Sequence, residues 1–183
     1  MTGYYIKALN KDKIVLEVLK IKQFRSIPYY LVILSTIIGL VLLPFAIIKK
    51  SFKDWIIVYL VSVIGNYGAD KYLVSRGYLR YKWKPFSKFK VHLPFDFIHY
   101  PLLLLYYNQW TLNSKLSGII LKLFPLVIPQ IIIETVAAKK TKLITWKKGW
   151  SWYHSLFAIV LKLLICRSII SIIRVINKGK ISV

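Results

Sequence analysis

The stretch HLPFDFIHYPLLLLYYNQW, residues 92–110, decides how this chain is read: it is apolar enough for a membrane span, yet it carries Asp96 and His99 near its start. At α-helical spacing, residues three apart share a face, so Asp96 and His99 are expected to point the same way. Ionisable groups inside a membrane are costly and face a protein interior or a wet cavity, which makes the pair a candidate functional site. Pro94 and Pro101 interrupt the hydrogen-bond ladder of the same stretch, which predicts freed carbonyls beside the two groups.

Outward from this stretch, the whole chain has the same character. It has 183 residues, is 57% hydrophobic and carries a formal net charge of +22, with the apolar and basic residues segregated along the sequence. Runs of about 20 apolar residues, enough to cross a hydrocarbon core, alternate with short Lys/Arg-rich connections. The reading is an all-α integral membrane protein, a single membrane domain over residues 1–183. Five transmembrane helices are expected at about 27–48, 55–74, 92–110, 116–138 and 150–173. The single cysteine, Cys166, lies in an apolar run, which excludes an intrachain disulfide and a cysteine metal cluster. The first apolar run is too long for a signal-peptide core, so no cleaved leader is expected.

Each segment adds a detail. In residues 1–26, Ile14, Val15, Val18 and Ile21 fall opposite Lys13, Glu17 and Lys20, the pattern of a short basic amphipathic helix at a headgroup boundary. The first span is nearly free of polar side chains and reads as lipid-facing. The second holds Gly65, Gly68 and Ala69, expected to admit a neighbouring helix, with Asn66 and Asp70 four apart on one face. The fourth holds Pro125 and Pro129, which predict a kinked helix, along with Lys122, Gln130 and Glu134. The fifth holds His154, Lys162, Cys166 and Arg167. No internal repeat is present, which counts against a complete inverted-repeat transporter.

The connection over residues 75–91 interleaves Arg80, Lys82, Lys84, Lys88 and Lys90 with Tyr78, Tyr81, Trp83, Phe86 and Phe89. Such a pattern can bind single-stranded nucleic acid. Between two spans, however, aromatic rings settle at the membrane interface and each basic side chain near anionic lipid gains roughly 1 kcal/mol. The expected partners are therefore anionic lipid headgroups and not nucleic acid. The same reading applies to Lys139, Lys140, Lys142, Lys147 and Lys148. A homo-oligomer or a membrane partner protein stays open.

Five spans put the amino terminus and both basic loops on one side, with 18 Lys/Arg against 7 on the other. The positive-inside rule makes the first side cytoplasmic and the carboxyl terminus external, in a cell membrane. Counting helical rise from that surface, Asp70, Asp96, Glu134 and His154 all fall roughly 6 Å deep, and His99 and Asn66 about one turn deeper. The expectation is a contiguous polar layer of Asn66, Asp70, Asp96, His99, Glu134 and His154. Lys122 and Lys162 are expected nearer the external half, and Arg167 at the external interface.

Three chemistries fit that layer. Carboxylates and histidines converging from several helices form the ligand set of a divalent-metal site, as a metal-dependent intramembrane enzyme would need. Carboxylates beside a histidine can also load and release protons or cations, for transport or sensing. Third, the layer can pair internally within a non-catalytic membrane component. The third ranks first, because the sequence has no H-E-x-x-H, no G-x-S-x-G and no Gly-rich phosphate loop.

Several motifs also resemble an uncharacterised family of small multi-spanning membrane proteins from spore-forming Bacillus and Clostridium relatives. They are Asp96-Phe-Ile-His99-Tyr-Pro101, Tyr107-Asn-Gln-Trp110, Glu134, Lys140-Thr-Lys-Leu-Ile144 and Lys148-Gly-Trp-Ser-Trp-Tyr-His154, within residues 55–160. The resemblance implies the topology and a Gram-positive cell membrane. It implies no activity, cofactor or catalytic residue.

Overall fold

A computed structural model describes residues 28–48, 52–86, 88–141 and 143–179. The expected amphipathic helix over residues 1–26 and the side chain of Lys142 lie outside the described residues. The chain divides into two compact units, Met1–Ser35 and Thr36–Val183. Of the first, only the opening turns of a helix are described.

Helix α1 covers Pro28–Ile47, with Pro28 at its start, where a missing N–H costs nothing. Ile37, Ile38, Leu40 and Val41 are exposed along it, as a lipid-facing span requires. Helix α2 is Phe52–Ser75, followed by strand β1, Leu79–Tyr81. Helix α3, Tyr100–Thr111, is entered through a π-helical turn over Phe95–His99. Helices α4, Leu116–Leu121, and α5, Phe124–Val136, follow, and a second π-turn covers Ala137–Thr141. Strand β2, Ile144–Trp146, leads to the long helix α6, Trp152–Gly179.

Among the described residues, three helical segments are long and apolar enough to cross a membrane: Pro28–Ile47, Leu116–Thr141 and Trp152–Asn177. The core lies among α2, α3, α5 and α6, with Val58, Leu105, Tyr107, Val127, Leu163 and Ile170 at its centre.

Proline dictates the irregular places. Pro125 has no N–H for the carbonyl of Leu121, and the chain turns through Lys122 and Leu123 between α4 and α5 instead of running straight. Pro101 likewise leaves the carbonyl of Phe97 without its helical donor. The Tyr59 hydroxyl of α2 donates to that oxygen across 3.3 Å. The preceding turn widens so that the N–H of Tyr100 reaches Phe95 O, five residues back. A wider turn takes more residues per revolution, so Asp96 and His99 no longer share a face. The His99 ring instead turns back on its own turn, its Nδ1 2.9 Å from Pro94 O. Because a carbonyl only accepts, Nδ1 is the protonated nitrogen. The freed carbonyls expected here exist, and side chains satisfy them.

One further expectation, on the packing of α2, is corrected. Helix α2 packs through Trp55, Val58, Ser62, Asn66 and Asp70, spaced three or four apart. At Gly65 and Gly68 a side-chain carbon would meet nothing within 4 Å. Among the described glycines, the tightest is instead Gly39 of α1, where an ideal Cβ would stand 2.5 Å from the side-chain Cγ2 of Ile98. The chain is all-α as expected, with one short addition: β1 and β2 pair antiparallel, with Leu79 opposite Trp146, Arg80 opposite Thr145 and Tyr81 opposite Ile144. This ladder ties the two basic connections together at one end of the helices.

Candidate functional site

The polar groups gather under that ladder. Asp70 ends the buried stripe of α2, and the chain then returns eleven residues later as Tyr81 of β1, whose hydroxyl donates to Asp70 Oδ1 at 2.9 Å. Burial, reinforced by the negative charge of Asp70, raises the Tyr81 phenol well above its ordinary range, which keeps it protonated as a donor. Asp70 is only 8% exposed, yet its Oδ2 has no hydrogen-bond partner.

Glu134 reaches the same place from α5. It lies one turn beyond Gln130, and both side chains line the same cavity. Ser155 Oγ donates to Glu134 Oε1 at 2.6 Å while accepting the Trp150 indole N–H at 3.0 Å. The Tyr100 hydroxyl stands 3.4 Å from Oε2. Lys162, two turns beyond Ser155 on the same face of α6, completes the group. Its Nζ lies 4.9 Å from the centre of the Tyr100 ring. Among the described residues it makes no ion pair within 4 Å, although Asp70, Asp96 and Glu134 all lie within its electrostatic reach.

These side chains line a partly open cavity of about 70 Å³. A water needs about 10–15 Å³ on this scale, so the space admits a few waters or one small ion. Leu79, Ile144 and Ala137 roof it at the ladder end, and Tyr81, Phe95, Tyr100 and Trp150 supply aromatic walls.

The structure separates the six residues of the expected layer. Asp70 and Glu134 share the cavity. Asp96, 1% exposed and with Oδ2 unpartnered, sits behind it and interacts electrostatically with Asp70. Asn66, also 1% exposed, lies one turn deeper along α2 with Nδ2 unpartnered. The two histidines serve local geometry. His99 faces Pro94 O, while His154 Nδ1 accepts the N–H of Ser151 at 3.2 Å, capping the start of α6, and its ring stacks on Trp150. Among the described residues, no group of three His, Cys, Asp or Glu is arranged to hold a metal ion.

Lys162, which the sequence reading set apart from the polar layer, lines the cavity with Asp70 and Glu134. Helix-face arithmetic would have found it, because Ser155, Ile159 and Lys162 follow the i, i+4, i+7 stripe of α6. Arg167, expected at the external interface, is 8% exposed. It donates to Thr111 O at 3.2 Å and Leu112 O at 3.1 Å, closing the carboxyl end of α3. Lys122 does the comparable work nearby, with Nζ 2.9 Å from Trp110 O and from Ser114 Oγ.

His92 is the third histidine and precedes the helical segment. It is 2% exposed, stacked on Phe95 at 4.2 Å and flanked by Tyr81 and Trp83, with Nδ1 unpartnered. Burial lowers its pKa to about 4, and the neighbouring positive charge of Lys84 acts the same way.

The basic side chains Arg80, Lys82, Lys88, Lys90, Lys139, Lys140, Lys147 and Lys148 are exposed, and Lys84 is partly so. Comparison with known proteins adds no identity, because no family model, curated protein or solved structure matches this chain.

Proposed function

We propose that this chain is a non-catalytic, multi-pass cell-membrane protein that holds and releases a proton or a small cation in the cavity beneath its β ladder. The observation that carries this reading is the half-satisfied carboxylate of Asp70. It is buried and lines a cavity with Glu134 and Lys162, yet among the described residues no cation stands within ion-pairing distance. A layer that merely neutralised itself would pair its charges, since an uncompensated buried charge costs several kcal/mol.

Five crossings remain the proposed topology, with the amino terminus cytoplasmic. Helix α2 has 24 residues, about 36 Å of rise. Its polar groups Ser62, Asn66 and Asp70 turn inward, while Leu60, Ile64 and Tyr72 face outward. The π-turn and α3 together do the same, with Asp96 and Asn108 inside and Phe97 and Tyr106 outside. Average hydropathy undervalues such helices, because lipid meets only their outer face. The basic ladder end then lies against anionic headgroups. The likeness to the membrane proteins of spore-forming bacteria is part of this proposal and rests on the motifs quoted above.

The enzyme reading is not carried forward, because its metal ligands do not converge. The test is flux: liposomes containing the purified chain should show pH-dependent proton or monovalent-cation movement, reduced at least tenfold in Asp70→Asn and Glu134→Gln. Flux that persists unchanged in both variants removes the cavity from the mechanism.

A further inference from the structure

We propose that the cation taken by this cavity is an ammonium: ammonium itself or a short primary amine, held by the carboxylates of Asp70 and Glu134 against the aromatic walls. The inference rests on the cation-handling reading above and narrows it to a ligand class.

Three observations converge. First, the acids outnumber the bases: Asp70 and Glu134 line the cavity with the single ammonium of Lys162, and Asp96 lies behind it within electrostatic reach of the same lysine. The local charge therefore has room for a second cation, and Asp70 Oδ2 lacks a hydrogen-bond partner. Second, the walls are aromatic as well as acidic. Tyr81, Phe95, Tyr100 and Trp150 line the space, and organic ammonium groups gain from ring faces in a way that strongly hydrated metal ions do not exploit. A metal would need more oxygen or nitrogen donors converging on one point, and no such set is arranged among the described residues. Third, the chain already carries an ammonium in this environment. Lys162 Nζ lies 4.9 Å from the Tyr100 ring centre, inside the reach of the same carboxylates. It demonstrates the chemistry the wall accepts and competes with an incoming ligand for the acids.

The size fits. About 70 Å³ has room for ammonium or methylammonium with a water or two. Donors are matched as well: an R–NH₃⁺ group offers three N–H bonds, to the carboxylates and to the Gln130 side chain, which faces the same space.

The experiment uses the full chain in maltoside micelles at fixed ionic strength. Its thermal unfolding is followed while ammonium, methylammonium, tetramethylammonium, sodium or potassium chloride is titrated. Ammonium and methylammonium should stabilise saturably, with apparent affinities at least tenfold better than potassium, and tetramethylammonium should have no effect beyond salt. Asp70→Asn should weaken methylammonium at least tenfold. If that variant does not fold, Tyr81→Phe, which removes only the hydroxyl orienting Asp70, should weaken it severalfold. Lys162→Gln should tighten it severalfold by removing the internal competitor, and Lys53→Gln, an exposed position at the start of α2, should change nothing.

Equal effects of all five salts, or methylammonium stabilisation that survives in both Asp70→Asn and Glu134→Gln, overturn the proposal. The flux assay separates this failure from that of the broader reading. Flux that depends on Asp70 without amine binding refutes the ammonium assignment alone, and loss of both dependences refutes both.

Discussion

The two ends of the helical unit treat charge in opposite ways. At the end away from the ladder, Asp54 Oδ2 and Arg174 Nε pair at 2.7 Å, joining the start of α2 to the last turns of α6. There Arg167 closes the carboxyl end of α3, and Lys122 bonds the next carbonyl and a serine. Under the ladder, Asp70, Glu134 and Lys162 share a cavity with Asp96 behind it, and the lysine reaches an aromatic ring but, among the described residues, no carboxylate oxygen within 4 Å. Both ends arise from the same helices, so the difference is not one of chain length or available partners. One end spends its charged groups on fixing helix termini, and the other keeps them apart.

Substitution should therefore have unequal consequences, and the largest belongs to the fixed end. Arg167→Ala strips two terminal carbonyls of α3 and Ser171 of a charged donor, in a site nearly closed to solvent. With each buried polar group left unpaired costing about 1–3 kcal/mol, the loss should be roughly 3–4 kcal/mol, read as a fall in the unfolding midpoint of purified protein. A loss below about 1 kcal/mol would mean that the fixed end is held by packing alone, and the contrast would disappear.

The second effect lies at the ladder and depends on pH. His92 is buried against Phe95, between Tyr81 and Trp83, with His99 and Lys84 contributing positive charge and Asp96 one turn away. Its folded pKa of about 4 lies below the unfolded value near 6.5. For a base depressed on folding, the unfolded state takes up the proton first. The neutral ring is thus tolerated above about pH 6.5, and stability falls as pH drops from there toward 4. The fall should approach about 3 kcal/mol. Melting curves of the wild type and His92→Phe across that range should converge at high pH and separate in acid, with the variant the less acid-sensitive. Parallel curves would assign the acid response to other groups.

How much of this was legible in the sequence follows from which interactions are local. Alternating apolar and basic runs are a one-dimensional property, so the helices long and apolar enough to cross a membrane were readable. So was the common end of the two basic loops, which the ladder now joins. The depth count brought Asp70 and Glu134 to one level, and they do share a cavity. It failed for the histidines because depth says nothing of direction. The π-turn ahead of Pro101 rotates His99 away, and the backbone of Ser151 claims His154. It failed for Lys162 because boundaries set by hydropathy placed the residue by distance from a span end, while its helix face was not counted. The strands were visible only faintly. Leu79-Arg80-Tyr81-Lys82 alternates with period two, but a basic aromatic loop between spans has an equally good interfacial reading, and pairing with Ile144–Trp146 is a contact across some 65 residues.

The smallest stability effect should come from the most conspicuous buried acid, and this sharpens the comparison most. Asp70→Asn keeps an oxygen for the Tyr81 hydroxyl, which donates to it now at 2.9 Å. It also removes a carboxylate that, among the described residues, has no cation within ion-pairing distance. Replacing a poorly compensated buried ion by its neutral isostere is often neutral or stabilising, so the unfolding midpoint should shift by no more than about 1 kcal/mol, in either direction. Cation or proton movement should nevertheless fall tenfold or more in the same variant. That division, stability kept and function lost, is the signature of a group retained for what it binds. If Asp70→Asn instead costs as much as Arg167→Ala, the acid is paired more tightly than its geometry indicates. The ladder end would then be a second fixed end, and the cavity would have no claim on a ligand.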